Sequence, residues 1–599
     1  GLFAHSLCIG KMVINMNKIK IGFLLKKTVS AVLIFFCFLQ VFAKSSKSVM
    51  PDPNAAVKSL SGIERKAQKP AEGVYYSLFV RSFADSNKDG IGDLKGIIQK
   101  LDYLNDGKDE TTSDLGITGI WLLPIFPSLS YHGYNVDDYY DVNPDYGTLA
   151  DFELLAKECK KRGIALIIDM TCNHASSSNQ WFIQSKNPDS PYRDRFRWVS
   201  DEDAAKGLVN LKQKVFGHNV WNVDLENPGK TSDGKDNYYY YAGVFDSSMP
   251  DFNLDCQAVR DEFKKIFKFW MDKGATGFRF DAASHTYNTA ELKIGEKGLE
   301  KAVSFWKEMT DYIKSVNPDS YCVSEVWENA ATRARYLAGM QSNFQFDLGG
   351  QIAGMINNQE TNEKQNSTDD TDASTYNGYA RSLESLYELY SQFNKDYINA
   401  PFLSNHDQAR SAALFRNKTD KMKLAADLYI LTEGIPFIYY GEEIAMKSGA
   451  DDPSKRTPML WKPNAKDKNQ TKWTDHPLYS SANRYNTRTE TVAEQQKDSD
   501  SLLNHYKRVI RIKTAHPALF RGRLKARSLG SSVIESYVME CDTEKAFVIH
   551  NVSSMNTVDV KLPDDLNMPM VYAANPSAKI ENGTLSIPPL SSVVLASEN

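Results

Sequence analysis

GFRFDAASH at 277–285, SEVWE at 324–328 and FLSNHD at 402–407 are the three stretches that decide the predicted fold of this chain. Each combines an apolar, strand-prone run with a carboxylate, and the three carboxylates are Asp281, Glu325 and Asp407. In a parallel α/β barrel the active-site groups come from the C-terminal ends of different strands. Three acids that are distant in sequence can therefore converge on one substrate bond.

Two converging carboxyl groups are what retaining cleavage of a glycosidic bond requires. One acts as the nucleophile and the other as acid and then base, with the two groups roughly 5–5.5 Å apart. Taken alone, a charged residue at a strand end is commonly a solvated rim or a salt bridge. The clustering of the three acids with Arg279 and His406 instead indicates an active site. The sequence therefore predicts an enzyme that cleaves sugars.

Strand-like and helix-like patterns alternate from about residue 73 to residue 519. The predicted strands are 74–82, 119–124, 165–171, 277–281, 321–326, 344–348, 402–405 and 437–440. The clearest predicted helices are 151–162, 259–273, 301–315 and 501–514. Eight strands that alternate with helices favour an α/β fold of the closed (β/α)8 TIM barrel type over an open sheet.

Changes in this pattern predict the domain boundaries. The barrel is predicted at 73–174 and 256–519, and an inserted subdomain at 175–255 interrupts it after the third strand. That insertion is rich in Trp and Tyr and is too long for a simple loop. Short alternating runs at 520–599 predict a C-terminal antiparallel β-sandwich domain. The polar stretch 357–378 predicts a mobile surface loop.

Residues 1–43 are predicted to be a targeting segment. A basic stretch at 16–27 precedes an apolar run at 29–42. This layout is typical of a secretory signal peptide, here behind an upstream extension, and the run is shorter than the about 20 residues of a membrane span. We therefore expect a secreted protein, extracellular or periplasmic, with 44–72 as a linker. An uncleaved membrane anchor is the alternative.

The charge composition argues against nucleic acid and acidic membranes as partners. The net charge is −4 and the isoelectric point is near 6.3, which gives no general attraction to nucleic acid or to acidic membranes. We expect a monomer without a membrane span in the mature form. Beyond the signal, five scattered cysteines show neither a disulfide framework nor metal-ligand spacing, so buried thiols are expected.

Several blocks, in order, resemble those of the α-amylase family of glycoside hydrolases. IIDMTCNH at 167–174 and the three stretches quoted above look like the family's four short blocks, and MPDFN at 249–253 resembles a further one. A single NHD triplet would be weak evidence, but the ordered set is specific. The resemblance spans roughly residues 73–520 and implies an α-glucan substrate such as starch, glycogen or maltooligosaccharides.

The resemblance implies a role for each acid. Asp281 would be the nucleophile, Glu325 the general acid and then base, and Asp407 would hold sugar hydroxyls. Arg279 lies two residues before Asp281, hence on the same strand face, and would keep it ionised by lowering its pKa. Asp169 would orient Arg279 rather than react. Glu325 would need a raised pKa from a partly apolar site.

Substrate contacts are implied for four further residues. His174 and His406 would donate hydrogen bonds to the sugar ring that the acids surround, and Tyr134 would stack on it. His285 would lie toward the leaving group. For Tyr134 packing in the core is the alternative, and for His285 a purely structural role.

A separate motif, DSNKDGIGD at 85–93, predicts a structural calcium site. Its expected oxygen ligands are Asp85, Asn87, Asp89, Ile91 (through its carbonyl) and Asp93. Oxygen donors at alternate positions around a glycine suit Ca²⁺, although the bidentate glutamate of an EF-hand is missing. The loop resembles the metal loop after the first barrel strand of α-glucosidase-like family members. An acidic turn without metal is the alternative.

Other residues bear on the reaction. Ala282 after the predicted nucleophile favours α-1,4 over α-1,6 cleavage, and Trp327 looks more like α-amylases than oligo-1,6-glucosidases. Secretion favours a polymer, because large glucans do not enter cells. We therefore expect a retaining, endo-acting α-1,4-glucan hydrolase. The alternatives are an exo-acting α-glucosidase or oligo-1,6-glucosidase, a transglycosylase, and, in another class, a non-catalytic amylase-like partner of a membrane transporter.

Overall fold

A computed structural model describes residues 62–231, 233–287, 296–364 and 377–598, all within one compact unit. Among these residues, no helix is long and apolar enough to cross a membrane. The predicted signal segment at 1–43 and most of the predicted linker at 44–72 lie outside the described residues.

The strands are given in chain order. They are β1 (Tyr75–Leu78), β2 (Gly119–Leu122), β3 (Ala165–Thr171), β4 (Trp198–Ser200), β5 (Lys214–Val215), β6 (His218–Asn219), β7 (Trp221–Lys230), β8 (Asp236–Ala242), β9 (Gly277–Asp281), β10 (Tyr321–Ser324), β11 (Ser342–Gln345), β12 (Ile398–Pro401), β13 (Phe437–Tyr439), β14 (Arg523–Ala526), β15 (Ile534–Cys541), β16 (Glu544–Asn551), β17 (Val558–Lys561), β18 (Met570–Ala573), β19 (Lys579–Glu581), β20 (Thr584–Ile587) and β21 (Ser591–Glu598).

The α-helices, also in chain order, surround the barrel or connect its parts. They are α1 (Val80–Phe83), α2 (Leu94–Leu104), α3 (Leu149–Lys161), α4 (Gln180–Ser185), α5 (Asp201–Ala205), α6 (Gln257–Asp272), α7 (Glu296–Val316), α8 (Ala330–Tyr336), α9 (Leu348–Lys364), α10 (Gly378–Phe393), α11 (Thr419–Ile430), α12 (Asp452–Lys455), α13 (Val492–Gln495), α14 (Leu502–Ala515) and α15 (Pro517–Arg521).

Eight parallel strands form the barrel in the order β12-β11-β10-β9-β3-β2-β1-β13. A parallel bridge between Phe402, just after β12, and Phe437 in β13 closes the sheet on itself. The strands β1, β2, β3, β9 and β10 are buried along their whole length, as both faces of a barrel strand require. The predicted (β/α)8 barrel is confirmed.

Capping residues mark the starts of the helices that surround the barrel. Thr148 and Asp151 form a capping box at the start of α3, and Asp93 and Ser501 accept backbone N–H groups at the starts of α2 and α14. The apolar sides of these helices pack on the barrel in one large core. Cys159, Cys172 and Cys322 lie in that core as buried thiols, as predicted, whereas Cys256 and Cys541 are partly exposed.

The insertion after β3 carries the small sheet β4-β8-β7 and the hairpin β5–β6. Its own apolar cluster includes Val215, Val220 and Trp221. After the barrel, β14, β15, β16, β21 and β18 form an antiparallel sheet that shares a core with the sheet β17-β20-β19. This is the predicted C-terminal antiparallel β-domain.

Some predicted elements were wrong in their bounds. The predicted strand 74–82 ends at Leu78 and turns into α1, because a continuous buried apolar run does not distinguish a strand from a buried helical turn. The predicted strand 402–405 lies after β12, which ends at Pro401, a residue with no N–H for the ladder. Part of the predicted loop 357–378 continues α9 to Lys364, since Gln, Glu and Lys favour helix. Residues 365–376 of that loop lie outside the described residues.

Candidate active site

A cavity of about 470 Å³ opens at the C-terminal ends of the barrel strands. Its lining residues are His132, Tyr134, His174, Phe216, Phe245, Met249, Asp281, Ala282, Ser284, His285, Glu325, Trp327, Asp407, Asp452 and Arg456. The three predicted catalytic acids are among them, together with Tyr134, His174 and His285. The other two predicted residues, Arg279 and His406, are almost fully buried beside the acids.

Arg279 joins two of the acids through one guanidinium group. Its Nη1 lies 2.7 Å from Asp281 Oδ1 and its Nη2 lies 2.8 Å from Glu325 Oε2. Asp169, which pairs with Arg279 in the register of β3 and β9, accepts from Nη1 at 2.8 Å. Planar guanidinium donors bind several carboxylate oxygens in fixed directions, so Arg279 orients both acids.

The backbone turn after β9 adds a second support for Glu325. Ala282 has φ = 49°, a left-handed conformation that turns the chain sharply after Asp281. The turn aims the Ala282 N–H at Glu325 Oε2, at 2.9 Å. The Glu325 carboxylate is therefore held by a charged and a neutral donor.

Burial has the largest effect on the pKa values of Asp281 and Glu325. It raises the pKa of Asp281 to about 7, against the attraction of Arg279. It also raises the pKa of Glu325 to about 7, the direction that an acid role requires. Arg279 lowers the pKa of Asp281, as expected, but desolvation outweighs the cation and the net shift is upward. Asp281 also raises the pKa of Glu325 by repulsion, so the two carboxyls titrate as a pair in two steps.

Asp407 lies in a different electrostatic environment. Arg456 Nη2 lies 3.0 Å from its Oδ1, and His406 Nε2 lies 3.1 Å from its Oδ2. Burial works against ionisation here too, but the neighbouring His406 and the cations Arg456, Arg279 and Lys455 lower the pKa of Asp407. Because burial lowers the pKa of His406 to about 3, the imidazole is neutral at pH 7, and Arg456 is the permanent cation that pairs directly with Asp407.

Tyr134 packs within the site and also lines the cavity. Its ring stacks on the His406 ring, with centroids 5.5 Å apart and planes 10° apart. Its hydroxyl lies 2.6 Å from His406 Nε2 and 3.0 Å from Asp169 Oδ2. Only 9% of the residue is exposed, so the predicted stacking face toward a sugar is narrow.

The two other predicted histidines, His174 and His285, also line the cavity. His174 is buried, and its Nε2 has no hydrogen-bond partner among the described residues, so it can bond to a ligand in the cavity. Burial lowers the pKa of both His174 and His285 to about 4. Both are therefore neutral at pH 7, and both contact the ring of Phe245.

Arg456 is the main functional candidate that the sequence patterns missed. It follows β13, the last barrel strand, in the charged segment DDPSKR, and its Nη1 also pairs with Asp452 at 2.8 Å. The sequence signal that could have revealed Arg456 is its place in a charged cluster after a barrel strand. Phe216 and Phe245 were missed as well, because an aromatic residue in an insertion gives no sign of where it points.

A second cavity, of about 560 Å³, borders the first. The two share His132, Phe245 and Met249. The second cavity also exposes hydroxyl and amide groups, which belong to Ser130, Ser176, Ser177, Ser178, Ser248 and Asn135. These donors and acceptors match the hydroxyls of a sugar chain.

The predicted calcium loop is folded by its own hydrogen bonds. Asp85 accepts the N–H groups of Lys88 and Gly90 (2.6 and 2.8 Å), Asp89 accepts that of Ile91 (2.7 Å), and Asp93 caps α2. Carboxylate, amide and carbonyl oxygens are the donors that Ca²⁺ prefers. In the described residues, however, no three Asp, Glu, His or Cys side chains converge as a metal site would require. The donor chemistry fits calcium, while the loop closes through backbone N–H groups.

Comparison with known proteins agrees with this geometry. The α-amylase catalytic domain family matches residues 77–522, and the SusG C-terminal domain family matches residues 534–594. The chain is 37% identical to α-amylase 3 of Dictyoglomus thermophilum, over 87% of this chain and 92% of that protein.

Two further relatives carry the names of different enzymes of the family. The crystal structure of the α-amylase from H. orenii has a TM-score of 0.72 at 34% identity, over 88% of this chain and all of that one. An oligo-1,6-glucosidase of Parageobacillus thermoglucosidasius is 28% identical, over 83% of this chain and 92% of that protein. The chain therefore belongs to the α-amylase family of glycoside hydrolases.

Proposed function

We propose that the protein is a secreted, endo-acting α-amylase that hydrolyses α-1,4 bonds in starch, glycogen and maltooligosaccharides with retention of configuration. The observation that carries the proposal is the bridge of Arg279 between Asp281 and Glu325 at the wall of a cavity that also exposes Asp407. All three acids and Arg279 are in place, which argues against a non-catalytic partner role.

In the first step Asp281 attacks the anomeric carbon of the bound glucosyl unit. The new bond joins that carbon to a carboxylate oxygen, and the bond from the carbon to the glycosidic oxygen breaks. Glu325 gives its proton to the departing oxygen, so the leaving chain departs as a neutral alcohol. This step therefore needs Glu325 protonated and Asp281 ionised against Arg279.

In the second step Glu325, now ionised, takes a proton from water. The water oxygen bonds to the anomeric carbon, the ester to Asp281 breaks, and both carboxyls return to their initial states. Asp407, kept ionised beside Arg456, accepts hydrogen bonds from sugar hydroxyls. Neutral His174 and His406 donate to, or accept from, the same ring.

A second cavity that adjoins the first supports endo cleavage. The cavity at the acids continues into the second cavity, whose serine hydroxyls suit further glucosyl units. Trp327 lines the first cavity, is 50% exposed and stacks on Phe346 with centroids 4.6 Å apart. A rigid aromatic face of this kind can stack on a sugar ring.

Product analysis on soluble starch and on maltoheptaose tests this proposal. An endo-acting retaining enzyme reduces iodine staining early and releases mixed short maltooligosaccharides as α-anomers. Glucose as the sole product, with slow loss of staining, would assign an exo-acting α-glucosidase. Cleavage of isomaltose in preference to maltose would assign an oligo-1,6-glucosidase, and products longer than the substrate would assign a transglycosylase.

Secretion is proposed from the basic and apolar layout at 16–42. Expression of the full chain with recovery from the medium or periplasm, followed by N-terminal sequencing, tests it. A mature start near residue 44 supports cleavage of a signal. Retention of the whole chain in the membrane fraction would support the anchor.

A structural Ca²⁺ at the Asp85–Asp93 loop is also proposed, from the donor chemistry of the loop. Calcium added to metal-free protein should raise Tm. Asp89→Ala should abolish that rise, because Asp89 is an exposed side chain that would supply a carboxylate oxygen to the ion and does not cap a helix. Asp102→Ala, at an exposed acid on α2, is the control and should keep the calcium response. An unchanged Tm on adding calcium to the wild type would reject the site.

A further inference from the structure

Phe216 occupies an unusual position at the tip of the hairpin β5–β6. The strands pair as Lys214 with Asn219 and Val215 with His218, which leaves Phe216 and Gly217 as a two-residue turn. Both turn residues have positive φ, 51° and 85°. Positive φ at both central positions marks a type I′ turn, where Asn-Gly is the favoured pair.

A phenylalanine at this position costs the hairpin free energy and gains little burial in return. Its φ of 51° is a left-handed conformation that bulky side chains rarely adopt, so the turn costs conformational free energy. Its side chain gains little burial in return, because 56% of the residue is exposed. The neighbouring Val215 and Val220 already anchor the hairpin in the core of the insertion. Stability of the hairpin therefore does not explain the aromatic ring.

The turn delivers the ring to the wall of the catalytic cavity. Phe216 lines that cavity, and His218, two residues later, lines the adjoining one. The Phe216 ring stacks on Phe245, with centroids 6.0 Å apart and planes 12° apart, and lies 5.9 Å from the His285 ring. Strain at a functional site is tolerated where the strained group has a task.

We infer that the exposed ring of Phe216 is a platform for a glucosyl unit of the substrate chain, next to the unit that the three acids surround. Phe245 and His285 support the ring from behind, and its free face meets the apolar face of the sugar. This inference rests on the proposed action on α-glucans, and it makes the insertion a determinant of chain binding. Phe216 acts by positioning the chain and takes no part in bond cleavage.

The substitution Phe216→Asn separates this role from a structural one. Asn-Gly is the preferred type I′ pair, so the hairpin should keep or gain stability while the ring is lost. We expect kcat/KM on maltoheptaose to fall about tenfold, mainly through KM, with a changed product distribution and an equal or higher Tm. Phe216→Tyr keeps the ring and should stay within about twofold of the wild type. Leu208→Asn, at an exposed apolar residue of the same insertion, is the matched control.

The outcomes are distinguishable. Unchanged kcat/KM and products in Phe216→Asn, with an active wild type, would overturn the platform. So would a loss that Leu208→Asn reproduces, or a loss accompanied by a lower Tm, which would trace to the hairpin. A wild type that cleaves no α-glucan would reject the proposed function, and the platform with it.

Discussion

Two groups of buried carboxyls lie at the same face of the barrel, and their partners differ. Asp281 and Glu325 share the guanidinium of Arg279 at the wall of a cavity. Glu442 and Glu443, just after β13, are bonded instead by tyrosine hydroxyls at 2.6–3.0 Å. Those hydroxyls belong to Tyr429 and Tyr506 for Glu442, and to Tyr76 and Tyr103 for Glu443.

Burial raises the pKa of Glu442 to about 7, as it does for Asp281 and Glu325. A raised pKa therefore does not by itself mark the catalytic group. The difference lies in access and charge: the tyrosine-bonded pair is sealed in the core, whereas the acids on Arg279 face a cavity and can exchange a proton with a substrate. The following predictions test that contrast, from the largest effect to the smallest.

Asp281→Asn should lower kcat on soluble starch by about 10⁴-fold or more, because an amide cannot form the glycosyl ester. Binding of a maltooligosaccharide should persist, measured by calorimetry. Glu442→Gln is the comparison from the sealed pair and should keep kcat within about threefold. Equal losses in the two variants would erase the contrast between cavity and core.

Glu325→Gln should lower kcat on starch by about 10²–10⁴-fold, the usual range for a general acid. On maltosyl fluoride, whose leaving group needs no proton, the loss in formation of the glycosyl–enzyme should be much smaller. Burst kinetics on the two substrates measure this. Similar losses of the first step on both would remove Glu325 from the acid role.

Arg456→Gln should lower kcat/KM by about 10–100-fold, since it removes the cation that pairs with buried Asp407. With less attraction to offset burial, the pKa of Asp407 rises, so the acidic limb of the pH–rate profile should move to higher pH. Arg456→Lys keeps the charge and should shift that limb less. An acidic limb that stays in place in Arg456→Gln would show that Arg456 does not govern Asp407.

Glu442→Gln should alter how the stability of the protein depends on pH, while activity stays close to that of the wild type. The folded-state pKa of Glu442, about 7, lies above the unfolded value of about 4, so its contribution is full below pH 4 and is lost as pH rises through 7. The glutamine variant cannot ionise. Its Tm relative to the wild type should therefore rise between pH 5 and pH 8, by scanning calorimetry. A constant difference would mean that Glu442 is ionised throughout.

The sequence alone determined the barrel and the place of the acids on it. Periodicity of two and of 3.6 residues is local, so alternating strands and helices were readable from about residue 73 to residue 519. Asp281, Glu325 and Asp407 follow from short motifs at strand ends, and all three line one cavity. The bounds of β12 were missed because the apolar run FLSN reads as a strand, although β12 ends at Pro401 and only a single bridge at Phe402 follows it.

Only the tertiary structure decided which groups surround the acids. Arg456 pairs with Asp407 across 49 positions of sequence, and Phe216 reaches His285 from an insertion whose packing no local pattern encodes. The protonation of Asp281 also depended on the fold, because the sequence placed Arg279 beside it but not the burial that outweighs the cation. Local pattern sets the elements and their order, whereas desolvation and long-range contact exist only once the barrel is closed.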